Sequence, residues 1–140
     1  MNVTIIDGQG GQLGAQLVRE ITSQFRNVNV TAIGTNSIAT ATMLKAGAKN
    51  AATGENSVVV ACRKADVIIG PIGIVITDSL LGEITEKMAI AVGRADAVRI
   101  LIPMNKCDNL VAGVPNLNTK TLIDDAIVKL RGVICGKEDS

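Results

Sequence analysis

The sequence has no histidine, tyrosine or tryptophan, and Phe25 is its single aromatic residue. Without histidine, a Ser-His-Asp or Cys-His catalytic arrangement cannot form, and a zinc site would have to rely on carboxylates and thiols. Without aromatic rings, the bases of a nucleic acid have no side chains on which to stack. The composition therefore argues against histidine-dependent hydrolases, against a structural metal site and against nucleic-acid binding.

An excess of one charge is also missing, because 14 basic residues face 13 acidic ones and the net charge is +1. Such a chain has no field that attracts nucleic acids or anionic membranes. Cys62, Cys107 and Cys135 are odd in number and far apart, which predicts neither a disulfide framework nor a metal knuckle. No apolar run approaches the roughly 20 residues that span a bilayer, and no secretory signal pattern is present. We expect a cytoplasmic protein with no membrane partner.

The chain of 140 residues has the usual size of one compact domain. We expect this domain to cover residues 1–135 and to be followed by a frayed tail at 136–140. The mean hydropathy of +0.35 is high for a monomer. One stretch carries more apolar residues than a helix face requires, and they form the stripe Leu80, Leu81, Ile84, Met88 and Val92. This stripe is either core or the face of a homo-oligomer, and we expect a dimer.

Short apolar runs alternate with segments of helical periodicity. Strands are predicted at Val3–Ile6, Asn29–Ile33, Lys49–Ala52, Val67–Ile69 and Val98–Ile102, with an edge strand at Leu110–Val114. Helices are predicted over 13–21, over 38–44 with Gly47 as the stop signal, from Asn56 or Ser57 to about Lys64, over Thr77–Val92 and over Thr119–Arg131. Apolar strands that alternate with amphipathic helices predict a small, doubly wound, mainly parallel α/β domain of Rossmann-like type, with helices on both faces.

Four glycines follow the first strand within seven positions, in the stretch DGQGGQLG. A glycine turn between a strand and a helix presents backbone N–H groups and the helix dipole to a phosphate. We predict that the ligand contacts Gly8, Gln9, Gly10, Gly11, Gln12, Leu13 and Gly14. The alternative is that glycine is needed only to pack the helix on the strand. If phosphate binding is correct, we expect Gly11→Val to weaken binding without unfolding the domain.

The spacing of these glycines bears on the kind of nucleotide site. Gly8, Gly10 and Gly14 give GxGxxxG, one residue longer than the common dinucleotide fingerprint. Gly8, Gly11 and Gly14 give GxxGxxG, which resembles the turn of extended short-chain dehydrogenases. That resemblance covers only the first half of the chain, and the catalytic Tyr and Lys pair of those enzymes has no counterpart because tyrosine is absent.

Asp7 stands immediately before the turn, where its charge would repel a pyrophosphate. Its carboxylate either accepts hydrogen bonds from the N–H groups of the turn or binds Mg²⁺ together with phosphate oxygens. The second alternative would suit phosphoryl transfer or hydrolysis.

Thr35, Asn36 and Ser37 stand at the end of the second strand. In dinucleotide-binding folds an acidic residue about 20 positions beyond the glycine turn commonly holds the ribose 2′-OH. With no carboxylate here and three polar side chains available, we expect NADP to bind at least as tightly as NAD. The alternative is that these residues only cap the second helix.

Two further segments follow strands four and five. Gly70, Pro71, Ile72 and Gly73 form a turn that would let a ligand approach the main chain. The segment PMNKCD supplies three catalytic candidates in addition to Asp7, namely Lys106, Cys107 and Asp108. Cys107 would need Lys106 or a helix terminus for activation, since no histidine is present.

Several blocks, IDGQGGQLG, IGTNSIATATMLKAGA, ATGEN, ADVIIGPIGIV, LGEITEKMA and ILIPMNKC, occur in this order along nearly the whole chain. Together they resemble a family of short bacterial Rossmann-like proteins, a domain of unknown function. The resemblance implies the fold and transfers no activity. The residues themselves predict a nucleotide- or dinucleotide-binding sensor or accessory subunit that holds NADP or NAD and catalyses no appreciable hydride transfer. The alternatives are a Mg²⁺-dependent enzyme centred on Asp7 and a purely structural dimer.

Overall fold

The computed structural model describes residues 1–104 and 108–138. Five strands form one parallel sheet in the order β3-β2-β1-β4-β5, namely β1 (Asn2–Asp7), β2 (Asn29–Gly34), β3 (Asn50–Thr53), β4 (Val67–Pro71) and β5 (Val98–Ile102). The helices are α1 (Gln12–Gln24), α2 (Ser37–Lys45), α3 (Glu55–Lys64), α4 (Glu86–Arg94) and α5 (Thr119–Glu138), and a short 3₁₀ helix covers Ile72–Val75. The predicted doubly wound, parallel α/β fold is confirmed.

Each face of the sheet carries its own hydrophobic core. One core joins alternate residues of β1, β2, β4 and β5 to α1, α2 and α5, with Ile5, Leu17 and Leu130 fully buried. The other joins the opposite face to α3, α4 and the 3₁₀ helix, with Ile68, Ile74 and Ile84 at its centre. Helices are thus packed on both faces because the strands present apolar residues on both sides.

Local signals placed several element boundaries correctly. The side chain of Asn36 caps α2 by accepting a hydrogen bond from the N–H of Ala39 at 2.9 Å. Gly47 follows that helix with a φ of 114°, a conformation that favours glycine. The start of α3 differs from the prediction, because its N-cap is Gly54 at a φ of 100° and neither Asn56 nor Ser57 serves as the cap.

Three other predictions were wrong. Residues 77–84, expected to be helical, form turns, and α4 starts only after Thr85, whose side chain accepts from the N–H of Met88. No strand forms at Leu110–Val114, which is turn and irregular structure. Helix α5 continues past the predicted end at Arg131 as far as Glu138.

The predicted apolar stripe belongs mainly to the core. Leu80, Ile84, Met88 and Val92 are buried under the sheet, whereas Leu81 is 93% exposed. These four residues therefore pack within the chain and are not available to form a dimer face. Among the described helices, none is both long enough and apolar enough to cross a membrane.

The sheet order defines where a ligand would enter. The chain runs outward from β1 to β2 and β3, and then returns to place β4 on the other side of β1. The loops after β1 and β4 lead to opposite faces, since α1 and α4 belong to different cores. This separation opens a crevice at the carboxyl ends of β1 and β4, which is the usual ligand position in such folds.

Candidate functional site

The glycine turn after β1 is organised by Asp7. One carboxylate oxygen accepts a hydrogen bond from the N–H of Gly8 and the other from the N–H of Gly14, both at 2.8 Å. The turn is closed by a hydrogen bond of 2.9 Å from the N–H of Gly11 to the carbonyl oxygen of Gly8. The geometry thus matches the alternative in which Asp7 binds N–H groups of the turn.

Three of the four glycines lack room for a side chain, and a Cβ on Gly8 would lie 2.6 Å from the hydroxyl oxygen of Thr35. A Cβ on Gly11 would lie 2.7 Å from the Cα of Ala39 in α2, and the residue has a φ of 76°. A Cβ on Gly14 would lie 2.9 Å from the Cβ of Asp7 and still closer to the sulfur of Met43. The expectation that Gly11→Val leaves the fold intact is therefore wrong, because the new side chain would strike backbone before it met any ligand.

Gly10 is different, because a Cβ there would meet nothing within 4 Å. It borders a cleft lined by Asp7, Gly8, Gln9, Gly10, Gly11, Gln12, Leu13, Gln16, Met104 and Thr119. The N–H groups of Gly10, Gln12 and Leu13 have no hydrogen-bond partner within the described part of the chain. Helix starts leave such donors unpaired, and their partners are commonly water or an anion.

Glu83 is the main residue that the sequence did not reveal. Its carboxylate accepts hydrogen bonds from the N–H of Gln9 at 3.1 Å, from the hydroxyl of Thr35 at 2.8 Å and from the Nδ2 of Asn36 at 2.6 Å. Asn36 also donates to the carbonyl oxygen of Gln9 at 2.9 Å. A carboxylate from the loop after β4 therefore ties the glycine turn to the end of β2.

This contact corrects the argument for NADP. The sequence places no acidic residue at the end of β2, but the fold brings Glu83 there from a position 48 residues beyond Thr35. Of the three predicted residues, Thr35 and Asn36 contact this carboxylate, while Ser37 is exposed in the first turn of α2. The only sequence signal was the presence of an acidic residue between β4 and α4.

Burial and hydrogen bonding act in opposite directions on the two carboxyl groups. Burial raises the pKa of Asp7, and this outweighs the hydrogen bonds from Gly14 and Gly8, with the negative charge of Glu83 raising it further. Burial also acts to raise the pKa of Glu83, but the hydrogen bonds from Asn36, Thr35 and Gln9 outweigh it and lower the pKa. Glu83 is therefore the more readily ionised of the two groups.

Residues 77–85, hereafter the cover segment, carry Glu83 across the crevice. Leu80 anchors the segment with only 2% of its surface exposed, and the N–H of Asp78 donates to the carbonyl oxygen of Ile84 at 2.8 Å. Asp78, Leu80 and Leu81 all have φ between 55° and 67°, which is unfavourable for residues with a side chain. Non-glycine residues in this conformation occur most often at functional sites.

The turn after β4 lies beneath the cover segment. Gly70, Pro71 and Gly73 are buried, and Ile72 is half-buried. A Cβ on Gly70 would lie 2.4 Å from the carbonyl oxygen of Ile6, so close contact between β1 and β4 accounts for this glycine. The hydroxyl of Ser79 in the cover segment donates to the carbonyl oxygen of Gly73. A ligand reaches this turn only if the cover segment moves.

Of the remaining catalytic candidates, the structure describes only Asp108. Lys106 and Cys107 lie outside the described residues, and Asp108 is exposed in a turn. Within residues 1–104 and 108–138, no three His, Cys, Asp or Glu side chains are grouped as a metal site. Burial raises the pKa of Cys62 to about 11, so this thiol is poorly suited to act as a nucleophile.

Comparison with models of protein families shows to which family the chain belongs. A model described as a domain of unknown function, DUF3842, matches residues 2–134. The chain belongs to this family. The predicted resemblance to such a family is confirmed, and the match covers nearly the whole chain. The weaker resemblance to short-chain dehydrogenases finds no support in the comparisons.

Comparison with solved structures gives a distant similarity. The chain is similar to a dodecameric FMN-dependent UbiX-like decarboxylase from Escherichia coli O157:H7, with 16% sequence identity and a TM-score of 0.48. The similarity covers 95% of this chain and 76% of that one. No curated relative matches the chain.

Proposed function

We propose that this protein binds a nucleotide or dinucleotide through its phosphates at the glycine turn and acts as a sensor or accessory subunit. The observation that carries the proposal is the group of unpaired N–H donors on Gly10, Gln12 and Leu13, beside the open space at Gly10. Donors at a helix start favour a negatively charged group, and a phosphate has enough oxygens to accept from several of them.

The N–H of Gln9 already binds the carboxylate of Glu83, so the donors of the turn that are open to a ligand are those of Gly10, Gln12 and Leu13. The cleft is about 260 Å³, somewhat below the roughly 300–1,000 Å³ of common small-molecule sites. A whole nucleotide therefore needs more room than the cleft provides. The cover segment does not line this cleft, but Glu83 contacts Gln9 at its border, so movement of residues 81–83 would uncover the side of the turn that Glu83 now occupies.

Glu83 also changes the expected choice of cofactor. A ribose hydroxyl can donate a hydrogen bond to its carboxylate, whereas a 2′-phosphate at the same place would be repelled. If a dinucleotide binds with its ribose beside Thr35 and Asn36, we expect NAD to bind more tightly than NADP. Neither should be turned over at an appreciable rate, because the chain has no histidine or tyrosine for proton transfer.

No observation favours the phosphoryl-transfer alternative. Asp7 has both carboxylate oxygens in hydrogen bonds with the turn, and the other proposed members of that site are either exposed or outside the described residues. The homo-oligomer stays a prediction, to be measured by light scattering at micromolar concentration.

The test is calorimetric titration of the full chain with NAD, NADP and ATP. Gly10→Val places a branched side chain in the open cleft, and we expect it to weaken binding by about tenfold or more without lowering the melting temperature appreciably. Gly132→Val in α5 is the matched control, since a Cβ there also meets nothing within 4 Å. Absence of binding of all three compounds at millimolar concentration, or equal affinity in Gly10→Val, contradicts the proposal.

A further inference from the structure

A second and larger cavity lies far from the glycine turn, between α3 and the sheet. It is a groove of about 550 Å³, within the range of small-molecule sites. Its lining residues come from three strands and one helix, namely Asn2, Thr4, Asn29, Thr31, Ile33, Lys49, Asn50, Ala52, Asn56, Ser57, Val60, Ala61 and Lys64. None of the lining residues is acidic, and two are lysines.

The floor of the groove is a polar patch on an otherwise apolar sheet. Strand register places Thr4 beside Thr31 and Thr31 beside Asn50, which forms a polar row across β1, β2 and β3. Across the same face, Thr4 is paired with Ile68 of β4, which belongs to the core. The polar row therefore ends where the packed core begins.

Thr4 is the most informative member of this row. Only 2% of its surface is exposed, yet its hydroxyl has no hydrogen-bond partner among the residues that the structure describes. No fully enclosed side-chain polar atom is left unpaired in that part of the chain, so the hydroxyl reaches the groove. The hydroxyl is therefore a donor and acceptor open to the groove, and a bound molecule or water can pair with it.

The roof of the groove leaves space above this hydroxyl. Helix α3 presents Ser57, Val60, Ala61 and Lys64, at the spacing of one helix face. Ser57 and Ala61 are small, so they do not fill the gap between the helix and the polar row. The space is therefore kept open by the choice of residues on both of its sides.

Positive charge is concentrated at one end of the groove. Lys49 precedes β3 and Lys64 ends α3, and the carbonyl oxygen of Lys64 accepts a hydrogen bond from the side chain of Asn2 at 3.1 Å. Both lysines therefore lie toward the amino ends of the strands. Asp66 is adjacent but outside the groove, and its carboxylate accepts from the backbone N–H of Asn2 at 2.8 Å.

We infer that this groove binds a small polyhydroxylated anion, a sugar that carries a phosphate or a carboxylate. The hydroxyl and amide groups of Thr4, Thr31 and Asn50 match sugar hydroxyls, which both donate and accept hydrogen bonds. The two lysines match the negative group. This site is separate from the glycine turn and does not depend on the nucleotide proposal.

The experiment is a titration of the full ¹⁵N-labelled chain with glucose 6-phosphate, glucuronate and glucose, followed by NMR. We expect at least one of the two anions to shift the amide signals of Thr4, Thr31 and Asn50, and glucose to bind about tenfold more weakly. Comparison of the two anions distinguishes a phosphate ligand from a carboxylate ligand. Two outcomes overturn the inference. One is that the shifts are confined to Gly10 and Gln12. The other is that neither anion binds at 10 millimolar, about the weakest useful affinity.

Two substitutions locate the binding. Thr4→Val keeps the shape and the strand preference of the residue but removes the hydroxyl, and we expect affinity to fall by about five- to tenfold. Lys64→Gln should lower the affinity for the sugar anion and leave the weak affinity for glucose unchanged. Thr42→Val and Lys45→Gln, both on α2 outside the groove, are the matched controls. Equal affinity in Thr4→Val and Thr42→Val overturns the inference.

Discussion

The two loops that border the crevice are built in opposite ways. The glycine turn after β1 is held by backbone contacts, since Gly11 touches α2 and Gly14 lies against Asp7 and Met43. The cover segment after β4 keeps three non-glycine residues in left-handed conformations and exposes 93% of Leu81. The first loop is therefore held mainly by packing, with Gln9 as its one left-handed non-glycine residue, whereas the second has three such residues and an exposed leucine.

This difference indicates which loop can move. Displacing the glycine turn would separate α1 from β1 and α2, which form one core. Displacing the whole cover segment would break the hydrogen bonds of Glu83 and Ser79 and would also remove Leu80 and Ile84 from the second core. Regions with fewer buried contacts open at lower free energy, so we expect only residues 81–83, between these two anchors, to form the mobile wall of the crevice.

The largest expected effect tests the packing of the glycine turn. Gly11→Ala should lower the free energy of unfolding by about 3 kcal/mol or more, because the Cβ would meet the backbone of Ala39 and the φ is 76°. Gly10→Ala should change it by less than about 0.5 kcal/mol, because the same atom meets open space there. Urea denaturation measures both. Similar losses in the two variants would remove the distinction between a packed and an open glycine.

A smaller effect is expected for the carboxylate that holds the turn. Asp7→Asn leaves one acceptor oxygen for the N–H groups of Gly8 and Gly14, so one donor loses its partner. The charge that burial disfavours is also removed, and we expect a net loss of about 1–2 kcal/mol in stability at pH 7. Asp124→Asn, in an exposed ion pair with Lys120, is the control and should cost less than about 0.5 kcal/mol.

The role of Glu83 in ligand choice is measured by the ratio of NADP to NAD affinity. Glu83→Gln keeps an acceptor for Thr35 and Asn36 but removes the negative charge. We expect the ratio to rise by about fivefold in favour of NADP, which corresponds to about 1 kcal/mol, the upper end for an exposed charge pair. An unchanged ratio in calorimetry would show that the 2′-position of the ligand lies elsewhere.

The same variant changes the pH dependence of stability. The folded pKa of Glu83 is lowered, so its contribution is present above the ordinary pKa of a glutamate, about 4.3, and is lost as the pH falls through the folded value. The folded pKa of Asp7 is raised, so its effect has the opposite sign. Stability falls as the pH rises from the ordinary pKa of an aspartate through the higher folded pKa of Asp7. We expect Glu83→Gln to lose less stability than the wild type between pH 5 and pH 3, approximately the range of carboxyl titration. Parallel melting curves in the two proteins would contradict this assignment.

The smallest effect concerns strain in the cover segment. Leu81→Gly relieves a left-handed conformation at a side chain that makes little contact, since Leu81 is 93% exposed. The relief is partly offset by the greater entropy of glycine in the unfolded chain, so we expect a gain of about 0.5 kcal/mol. Ile84→Gly, at a fully buried residue of the same segment, should instead destabilise by several kcal/mol, about 3 or more.

The fold was predictable because its signals are local. Apolar runs such as Val67–Ile69 have the length and composition of buried parallel strands, and α2 is bounded by the capping side chain of Asn36 and by Gly47, whose positive φ suits glycine. The error over Thr77–Val92 has an equally physical origin. Leu80 and Ile84 have helical spacing, but they reach the core from turns. Leu80, Leu81 and Gly82 all have positive φ, which a right-handed helix does not allow.

The sequence by itself determined the parallel α/β fold and the position of the glycine turn, because strand periodicity and glycine clusters act over a few neighbouring residues. Tertiary structure alone decided which glycines are packed and which one is open, since that depends on Ala39 and Met43 of α2. It alone placed Glu83 against Thr35 and Asn36, and Thr4 beneath α3. Charge and hydrogen bonding at a site depend on distances in space, and residues far apart in the chain set those distances only after the sheet has formed.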